Sequence, residues 1–171
     1  MIDFQLSPEL LALRERTLRF VREKIVPFET DPRNEFYTVT DSLREEMVAL
    51  VRAEGLLSPH APREYGGMGL DHRSMAVIFE AASWSPLGPL AFNIQAPDEG
   101  NVNLLNQVAT PEQKAKWLPG IVSGDIRTVF SMTETATDGA GSDPQLLQTE
   151  AREVEGGYRI SGRKYMISAA I

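Results

Sequence analysis

The sequence has 171 residues, of which 42% are hydrophobic and 24% charged, which is typical of a soluble globular protein with one or two domains. Its formal net charge of −7 argues against a nucleic-acid partner, and the absence of cysteine excludes disulfides, thiolate metal ligands and a cysteine nucleophile. No apolar run reaches the roughly 20 residues of a membrane-spanning helix, and the N-terminus lacks the regions of a signal peptide. We therefore expect a cytoplasmic protein with no membrane partner.

The chain opens with two amphipathic helices. Ser-Pro-Glu at residues 7–9 is a typical helix start, with a hydroxyl cap, proline in the first turn and an acid beside it. Apolar residues then recur at helical spacing as far as Pro27. A second helix is predicted over residues 41–54, with Asp41 as its cap and Gly55 as its stop signal.

Three more helical stretches follow. Asp71 is expected to cap a third helix, and another stretch should run through Asn106 after the prolines and glycine of residues 86–89. Thr-Pro-Glu-Gln at residues 110–113 is a capping box with proline at the first helical position. Gly124 is the stop signal of that last helix.

The pattern changes to β-type sequence after residue 124. Four runs rich in β-branched and apolar residues are typical of short strands: 126–132, 146–149, 158–161 and 165–171. Glu-Gly-Gly at residues 155–157 predicts a hairpin turn.

These elements predict a mainly α protein, with a helical domain over residues 1–124 and the start of a β-domain over residues 125–171. The β region is too short to close. Its apolar end, residues 169–171, falls in the middle of a predicted strand, where a cut sheet would expose unpaired backbone groups. We therefore expect a truncated chain.

The loop after the first predicted strand is the strongest candidate for ligand contacts. It is rich in hydroxyl and small residues and ends in Gly-Ala-Gly-Ser-Asp at residues 139–143. Gly and Ala allow close approach to the backbone, so the loop can offer several N–H groups and hydroxyls to one ligand. The Ser-Asp pair at 142–143 could equally form a simple turn.

Five motifs, in the same order along the chain, resemble those of the acyl-CoA dehydrogenase family. They are Pro-Arg-Glu-Tyr-Gly-Gly-Met-Gly (62–69), Thr-Pro-Glu-Gln-Lys-Ala-Lys-Trp-Leu (110–118), Met-Thr-Glu (132–134), Gly-Ser-Asp (141–143) and Ile-Ser-Gly-Arg-Lys (160–164). Each motif is short, but their order is specific and the resemblance covers the whole chain.

The resemblance implies a fold and an activity. The family has an N-terminal helical domain, a middle β-barrel and a C-terminal helical bundle, so this chain would hold the first and an incomplete part of the second. The family binds FAD and oxidises an acyl-CoA thioester to the trans-2-enoyl-CoA, with a carboxylate of the bundle as base. It passes electrons to an electron-transfer flavoprotein, and the intact protein would be a homodimer or homotetramer.

The resemblance places Thr133 beside flavin N5, where a donor helps to hold negative charge on the reduced flavin. Phe130, Ser131 and Met132 would supply backbone and a wall to the isoalloxazine ring. The alternative is ordinary barrel packing, because strands favour Thr and because Phe130 and Met132 alternate with Ser131.

Met166, Ile167 and Ser168 match positions beside the flavin, where the family commonly has an aromatic residue and a Thr. Met166 can pack on a ring through its polarisable sulfur, and Ser168 keeps a hydroxyl. All three could instead be ordinary strand residues.

For the substrate, the resemblance assigns Ser142 to the pyrophosphate and CoA end, and Phe92, Asn93 and Gln95 to the acyl cavity. The usual family loop has proline after Thr-Glu, whereas this chain has none and a longer spacing from Thr133 to Ser142, so the register of Ser142 stays open. Asn93 and Gln95 could instead be solvated or capping residues, the reading that their residue type favours.

The sequence shows no metal site, since His60 and His72 lie far from any second ligand pattern. It shows no catalytic residue either, since the base is expected in the C-terminal bundle. Two alternatives stay open: a non-catalytic subunit or relic module of the same fold, and a flavin oxidase or monooxygenase of the same fold.

Overall fold

A computed structural model of the chain describes residues 5–35, 38–135 and 141–168. The chain divides into two compact units, Met1–Arg127 and Thr128–Ile171, named here the helical unit and the β unit. The predicted end of the last strand, residues 169–171, and the middle of the candidate loop, residues 136–140, lie outside the described residues.

Helices make up most of the first unit. They are α1 (Pro8–Phe20), α2 (Asp41–Ala53), α3 (His72–Ala82), α4 (Gly88–Ala91), α5 (Asp98–Val108) and α6 (Pro111–Val122). A short antiparallel pair, β1 (Asn34–Glu35) and β2 (Thr38–Val39), precedes α2. In the described parts of the chain, no helix is both long and apolar enough to cross a membrane.

Local sequence determines where these helices begin. Ser7 and Asp71 act as caps, and Thr110 and Gln113 form the reciprocal bonds of a capping box, as predicted. The cap of α2 is Thr40 rather than Asp41, because the Thr40 hydroxyl accepts the Leu43 N–H at 3.4 Å. The carboxylate of Asp41 lies instead in the first turn, where it favours the helix dipole.

A wide turn lets the chain stay helical past the end of α1. Residues Val21–Ile25 form a π turn, in which the Val26 N–H donates to the carbonyl of Val21, five residues back. Val21 and Ile25 are both fully buried as a result. Both residues join the main core. Its other buried residues come from the helices and from the loops between them: Phe20, Leu43, Met47, Val48, Val51, Leu56, Leu57, Ala82, Leu87, Ala91, Phe92 and Ile94.

Uncharged side chains donate to the carbonyls of the last two residues of α6. The Nδ2 of Asn93 donates to the carbonyl of Ile121 at 2.8 Å and to the hydroxyl of Ser58 at 2.9 Å. That hydroxyl in turn donates to the carbonyl of Val122 at 2.6 Å. Ser58 and Asn93 both have positive φ, at 48° and 57°, and both are buried, so the backbone bends to deliver these donors.

Two arginines of α2 satisfy the next carbonyls. Arg44 donates to the carbonyl of Gly124 at 2.8 Å, and Arg52 donates to the carbonyl of Ser123. Positive charge near a helix C-terminus also favours the helix dipole. We name Ser58, Asn93, Arg44 and Arg52 the α6 clamp, since these four side chains all donate to carbonyls at the end of this helix.

His60 is packed as a neutral ring in the loop after α2. Its ring meets that of Phe79 edge-on, with centroids 6.2 Å apart, and neither ring nitrogen has a hydrogen-bond partner among the described residues. Burial lowers the pKa of His60 from its ordinary 6.5 to about 4, against the smaller opposing effect of Asp98. His60 therefore stays uncharged near neutral pH.

The β unit contains one regular hairpin. Strands β3 (Glu150–Val154) and β4 (Gly157–Ser161) pair antiparallel from Glu150 with Ser161 to Val154 with Gly157. The predicted turn at residues 155–157 and the predicted strand at 158–161 are thus confirmed.

The other predicted strands are wrong over their described residues. Residues 126–133 form no regular strand, residues 144–146 form a 3-10 turn, and residues 165–168 are irregular. Outside the hairpin, the described residues of this unit form one isolated antiparallel bridge, between Glu134 and Lys164. A strand exists only where a neighbour pairs along it, and β-type composition alone does not provide that neighbour.

The α6 clamp predicts the effect of removing its amide. Asn93→Ala should lower the free energy of unfolding by about 1–3 kcal/mol, because it removes two buried hydrogen bonds, one to the carbonyl of Ile121 and one to the hydroxyl of Ser58. Urea unfolding of the chain measures this difference. Gln95→Ala is the matched control, since Gln95 is exposed and should change stability by less than about 0.5 kcal/mol. Equal effects of the two substitutions would contradict the clamp.

The buried ring nitrogens of His60 predict a loss of stability in acid. The folded chain holds this imidazole at a pKa of about 4, below its ordinary 6.5, so the unfolded chain binds more protons between these pH values. Stability should therefore fall as the pH drops through this window, by roughly 3 kcal/mol at about 1.4 kcal/mol per pKa unit.

The measurement is the free energy of unfolding of the wild type and of His60→Leu at both ends of the window. The variant should lose less stability than the wild type. His72→Leu, at an exposed position, should behave as the wild type does. A His60→Leu profile parallel to that of the wild type would show that His60 is protonated without penalty.

Candidate functional site

The predicted flavin-contact segment, residues 130–133, leaves side chains open in the β unit. Phe130 is 53% exposed and Ser131 is exposed, while Met132 and Thr133 are half-buried. Among the described residues, the Thr133 hydroxyl has no hydrogen-bond partner. It is therefore available to a ligand.

The backbone around Thr133 is held in place although its side chain is open. The Tyr165 N–H donates to the carbonyl of Thr133 at 3.0 Å, and the Glu134 N–H donates to the carbonyl of Gly141 at 2.8 Å. The ammonium of Lys164 donates to the carbonyl of Met132 at 3.1 Å. Residues 132–134 are thus each held by a contact from another part of the unit.

The Glu134 carboxylate is buried and fully engaged. It accepts the N–H groups of Gln148 and Thr149 at 2.8 and 2.9 Å and the ammonium of Lys164 at 3.0 Å. Hydrogen bonds from Thr149, then Gln148 and Lys164, hold the pKa of Glu134 far below its ordinary 4.5. A carboxylate with so low a pKa is a poor general base at neutral pH.

The bridge between Glu134 and Lys164 brings the two predicted flavin-contact segments to the same part of the unit. Met166 follows two residues after Lys164, is 77% exposed, and has a φ of 52°, in the left-handed region that bulky residues rarely adopt. Ile167 is half-buried and Ser168 is exposed. Such backbone strain often occurs at ligand-binding positions.

These groups fit one edge of a flavin ring. The ring needs hydrogen-bond donors for its polar edge and flat apolar contacts for its faces. The open Thr133 hydroxyl offers the first, and the exposed side chains of Phe130 and Met166 offer the second.

Ser142 is exposed and follows Gly141, whose φ of 61° suits glycine. Asp143 accepts the Gln145 N–H at 2.9 Å and caps the short turn Pro144–Leu146. Ser142 thus lies directly before a capped turn and is exposed at the surface. Its part in CoA binding stays a prediction.

The three acyl-cavity candidates occupy different environments in the helical unit. Phe92 is fully buried and meets Phe20 edge-on, with ring centroids 6.0 Å apart. Asn93 is buried in the α6 clamp, and Gln95 is exposed. Their role toward a substrate also stays a prediction.

A cleft of about 310 Å³ lies elsewhere in the helical unit, beside the end of α6. Its lining contains none of the residues that the sequence singled out as a site: Arg52, Gly55, Leu57, Tyr65, Gly66, Gly67, Met68, Val122 and Ser123. Within the described ranges, no three His, Asp or Glu side chains cluster as metal ligands would.

Sequence reasoning missed the pairing of Glu134 with Lys164. Both residues belong to motifs that carry the family resemblance, but they lie 30 residues apart. The signal that could have revealed them is one charged residue close to the edge of each of two predicted strands, because buried charges are normally paired.

Comparison with known proteins places the chain in a family. The family model described as "Acyl-CoA dehydrogenase, N-terminal domain" matches residues 7–125. Acyl-CoA dehydrogenase family member 10 of Mus musculus is 31% identical, over 97% of this chain and 16% of that protein. The 3-(aryl)acrylate reductase of Clostridium sporogenes is 33% identical, over 92% of this chain and 40% of that protein.

Solved structures agree with these matches. An acyl-CoA dehydrogenase of Bacillus anthracis, complexed with FAD, superposes with a TM-score of 0.68 and 28% identity, over 98% of this chain and 28% of that one. The helical unit and the hairpin that follows therefore form the first part of an acyl-CoA dehydrogenase fold.

The chain belongs to the acyl-CoA dehydrogenase family. The expected family and fold class are confirmed, and FAD is confirmed as a cofactor of solved relatives. The chain spans less than half the length of each relative described above.

Proposed function

We propose that this chain is the N-terminal part of an FAD-dependent acyl-CoA dehydrogenase, which oxidises an acyl-CoA thioester to the trans-2-enoyl-CoA. Residues 1–124 would form its helical domain and residues 125–171 the start of its β-domain. The observation that carries the proposal is the open hydroxyl of Thr133 on a backbone held at 3.0 Å by Tyr165, in a chain of this family.

When bound, FAD would supply the hydride acceptor for the β-carbon of the substrate. The Thr133 hydroxyl and the backbone of Ser131 and Met132 would hold the polar edge of the ring. Phe130 would pack against one side of it, since more than half of that side chain is uncovered. Donors fixed in advance at the place where charge develops stabilise that charge without further reorganisation.

The remaining site residues extend this proposal. Met166, Ile167 and Ser168 would contact the ring from the segment that follows Lys164. Ser142 would bind the anionic end of the acyl-CoA. The left-handed φ of Met166 and the exposed hydroxyl of Ser142 support these roles.

For the acyl chain, we propose that Phe92, Asn93 and Gln95 belong to the segment beside the cavity. The buried Phe92 and Asn93 would shape its wall from behind, and Gln95 would reach its surface, since only Gln95 is exposed.

The chain alone would be inactive, because Glu134, the carboxylate next to Thr133 in sequence, is not suited to remove the α-proton. Glu134 is buried and triply hydrogen-bonded. We propose a carboxylate of the C-terminal bundle as the base. On the hairpin, the large exposed fractions of Tyr158 and Ile160, 70% and 73%, support further strands that cover them in the complete protein.

For the complete protein we also propose a cytoplasmic location, a homodimeric or homotetrameric state and an electron-transfer flavoprotein as acceptor. Cell fractionation, light scattering and a coupled flavoprotein-reduction assay test these three points. A membrane-bound protein, a monomer, or failure to reduce the flavoprotein would contradict them respectively.

One relative favours a second candidate. The Clostridium sporogenes protein is named an acrylate reductase, so this fold also serves a reaction written in the reductive direction. The same site could then reduce an acrylate. Anaerobic mixing separates the two candidates. If the protein is a dehydrogenase, an acyl-CoA should bleach the oxidised flavin. If it is a reductase, an acyl-CoA should leave the oxidised flavin unchanged, and an acrylate should reoxidise the reduced flavin.

The role of Thr133 predicts a kinetic effect in the FAD-loaded complete protein. Thr133→Val should slow flavin reduction by acyl-CoA on the order of 100-fold, because it removes one donor aimed at developing charge. Stopped-flow absorbance measures this rate. The FAD content should stay near that of the wild type.

Thr133→Ser is the matched control, since it keeps the hydroxyl, and it should retain most of the rate. If Thr133→Val reduces flavin as fast as the wild type with normal FAD content, Thr133 is only a packing residue.

A further inference from the structure

Lys164 lies between the two groups that flank Thr133. Its ammonium donates to the carbonyl of Met132, on one side of Thr133, at 3.1 Å, and to the carboxylate of Glu134, on the other side, at 3.0 Å. One side chain therefore spans the threonine through both neighbours. The next residue, Tyr165, binds the carbonyl of Thr133 itself.

Glu134 secures this arrangement from the opposite direction. Its carboxylate also accepts the N–H groups of Gln148 and Thr149, so it ties the Thr133 segment to the stretch before β3. The side chains of Glu134 and Lys164 are only 2% and 21% exposed. At such burial, removal of either charge leaves its partner uncompensated, which makes the geometry sensitive to each.

The contacts engage the backbone around Thr133 and not its hydroxyl. Its neighbours Met132 and Glu134 are both bound by Lys164, and its own carbonyl is bound by Tyr165, whereas its hydroxyl points to no described acceptor or donor. Contacts that contribute only to stability could lie anywhere in the unit. Here the contacts converge on the residue that carries the proposed flavin donor.

We propose that the Glu134–Lys164 ion pair is the positioning element that aims the Thr133 hydroxyl at the flavin. Lys164 touches no flavin atom in this proposal and acts only through Met132, Thr133 and Glu134. The proposal rests on the proposed function, because the ion pair can aim the Thr133 hydroxyl at a flavin only if the complete protein binds FAD beside Thr133.

The test is a double-mutant cycle in the FAD-loaded complete protein. The variants are Lys164→Met, Thr133→Val and the two combined. Two quantities are measured: the midpoint potential of the flavin, by chemical reduction, and the rate of its reduction by acyl-CoA. FAD affinity and thermal unfolding are recorded for each variant.

Lys164→Met should slow flavin reduction on the order of 10- to 100-fold, since a displacement of about 1 Å at a reacting centre has effects of this size. It should also shift the midpoint potential to more negative values, because a misplaced donor stabilises the reduced flavin less. Both effects should nearly vanish when Thr133 is already Val. Couplings of this kind reveal that two residues act as one unit.

Two further variants separate positioning from folding. Lys164→Arg keeps the positive charge and should restore part of the rate and potential. Arg152→Met removes an exposed cation of β3 that pairs with Glu150 within the same strand, and it should change neither. If Lys164→Met does not fold, Glu134→Gln replaces it in the same cycle and should show the same coupling to Thr133.

Additive effects of Lys164→Met and Thr133→Val would overturn the proposal, as would a loss of thermal stability with potential and rate unchanged. The proposed function fails in a different way. A wild-type protein that holds FAD but is not bleached by acyl-CoA would refute the dehydrogenase activity, while the potential cycle would still decide whether Lys164 acts through Thr133.

Discussion

The buried carboxylate of Glu134 is the interaction on which the arrangement of the β unit depends. It accepts two backbone N–H groups and one ammonium, each at 3.0 Å or less. These contacts join the Thr133 segment to the stretch before β3 and to the stretch after β4, and β3 with β4 forms the one regular hairpin among the described residues of the unit. Two paired strands alone give little stability in water. The hydrogen bonds to both oxygens of the Glu134 carboxylate hold these stretches together where no regular sheet does, and they do so directly beside Thr133.

The helical unit solves a related problem at the end of α6. The carbonyls there would be costly to bury without donors, and the four side chains of the α6 clamp supply them from α2 and from two loops. This explains why Asn93 is buried among apolar neighbours such as Phe92. Its amide already has partners in the fold, so any effect of Asn93 on a substrate would be exerted through the shape of this end of the helix.

Sequence reasoning worked where the cause is local and failed where it is not. The caps Ser7, Asp71 and Thr110 were predictable, because a hydroxyl or carboxylate and its N–H partner lie three residues apart. The strand predicted over residues 126–132 was wrong, because a strand needs a neighbour that composition does not reveal. The contact of Asn93 with Ile121 spans 28 residues and that of Lys164 with Glu134 spans 30, so no periodicity could indicate them. The candidate flavin contacts came from the resemblance, and the open hydroxyl of Thr133 became visible only in the structure.

The central claim is that this chain supplies one edge of a flavin site and that the rest lies elsewhere in the complete protein. The most direct measurement is the flavin absorbance of the complete protein and of the 171-residue chain, each mixed with FAD, desalted and then given an acyl-CoA without oxygen. The account predicts retained flavin that bleaches, with enoyl-CoA as product, in the complete protein and neither result in the chain alone. Stoichiometric flavin that bleaches in the chain alone, or retained flavin that no acyl-CoA bleaches in the complete protein, would contradict it.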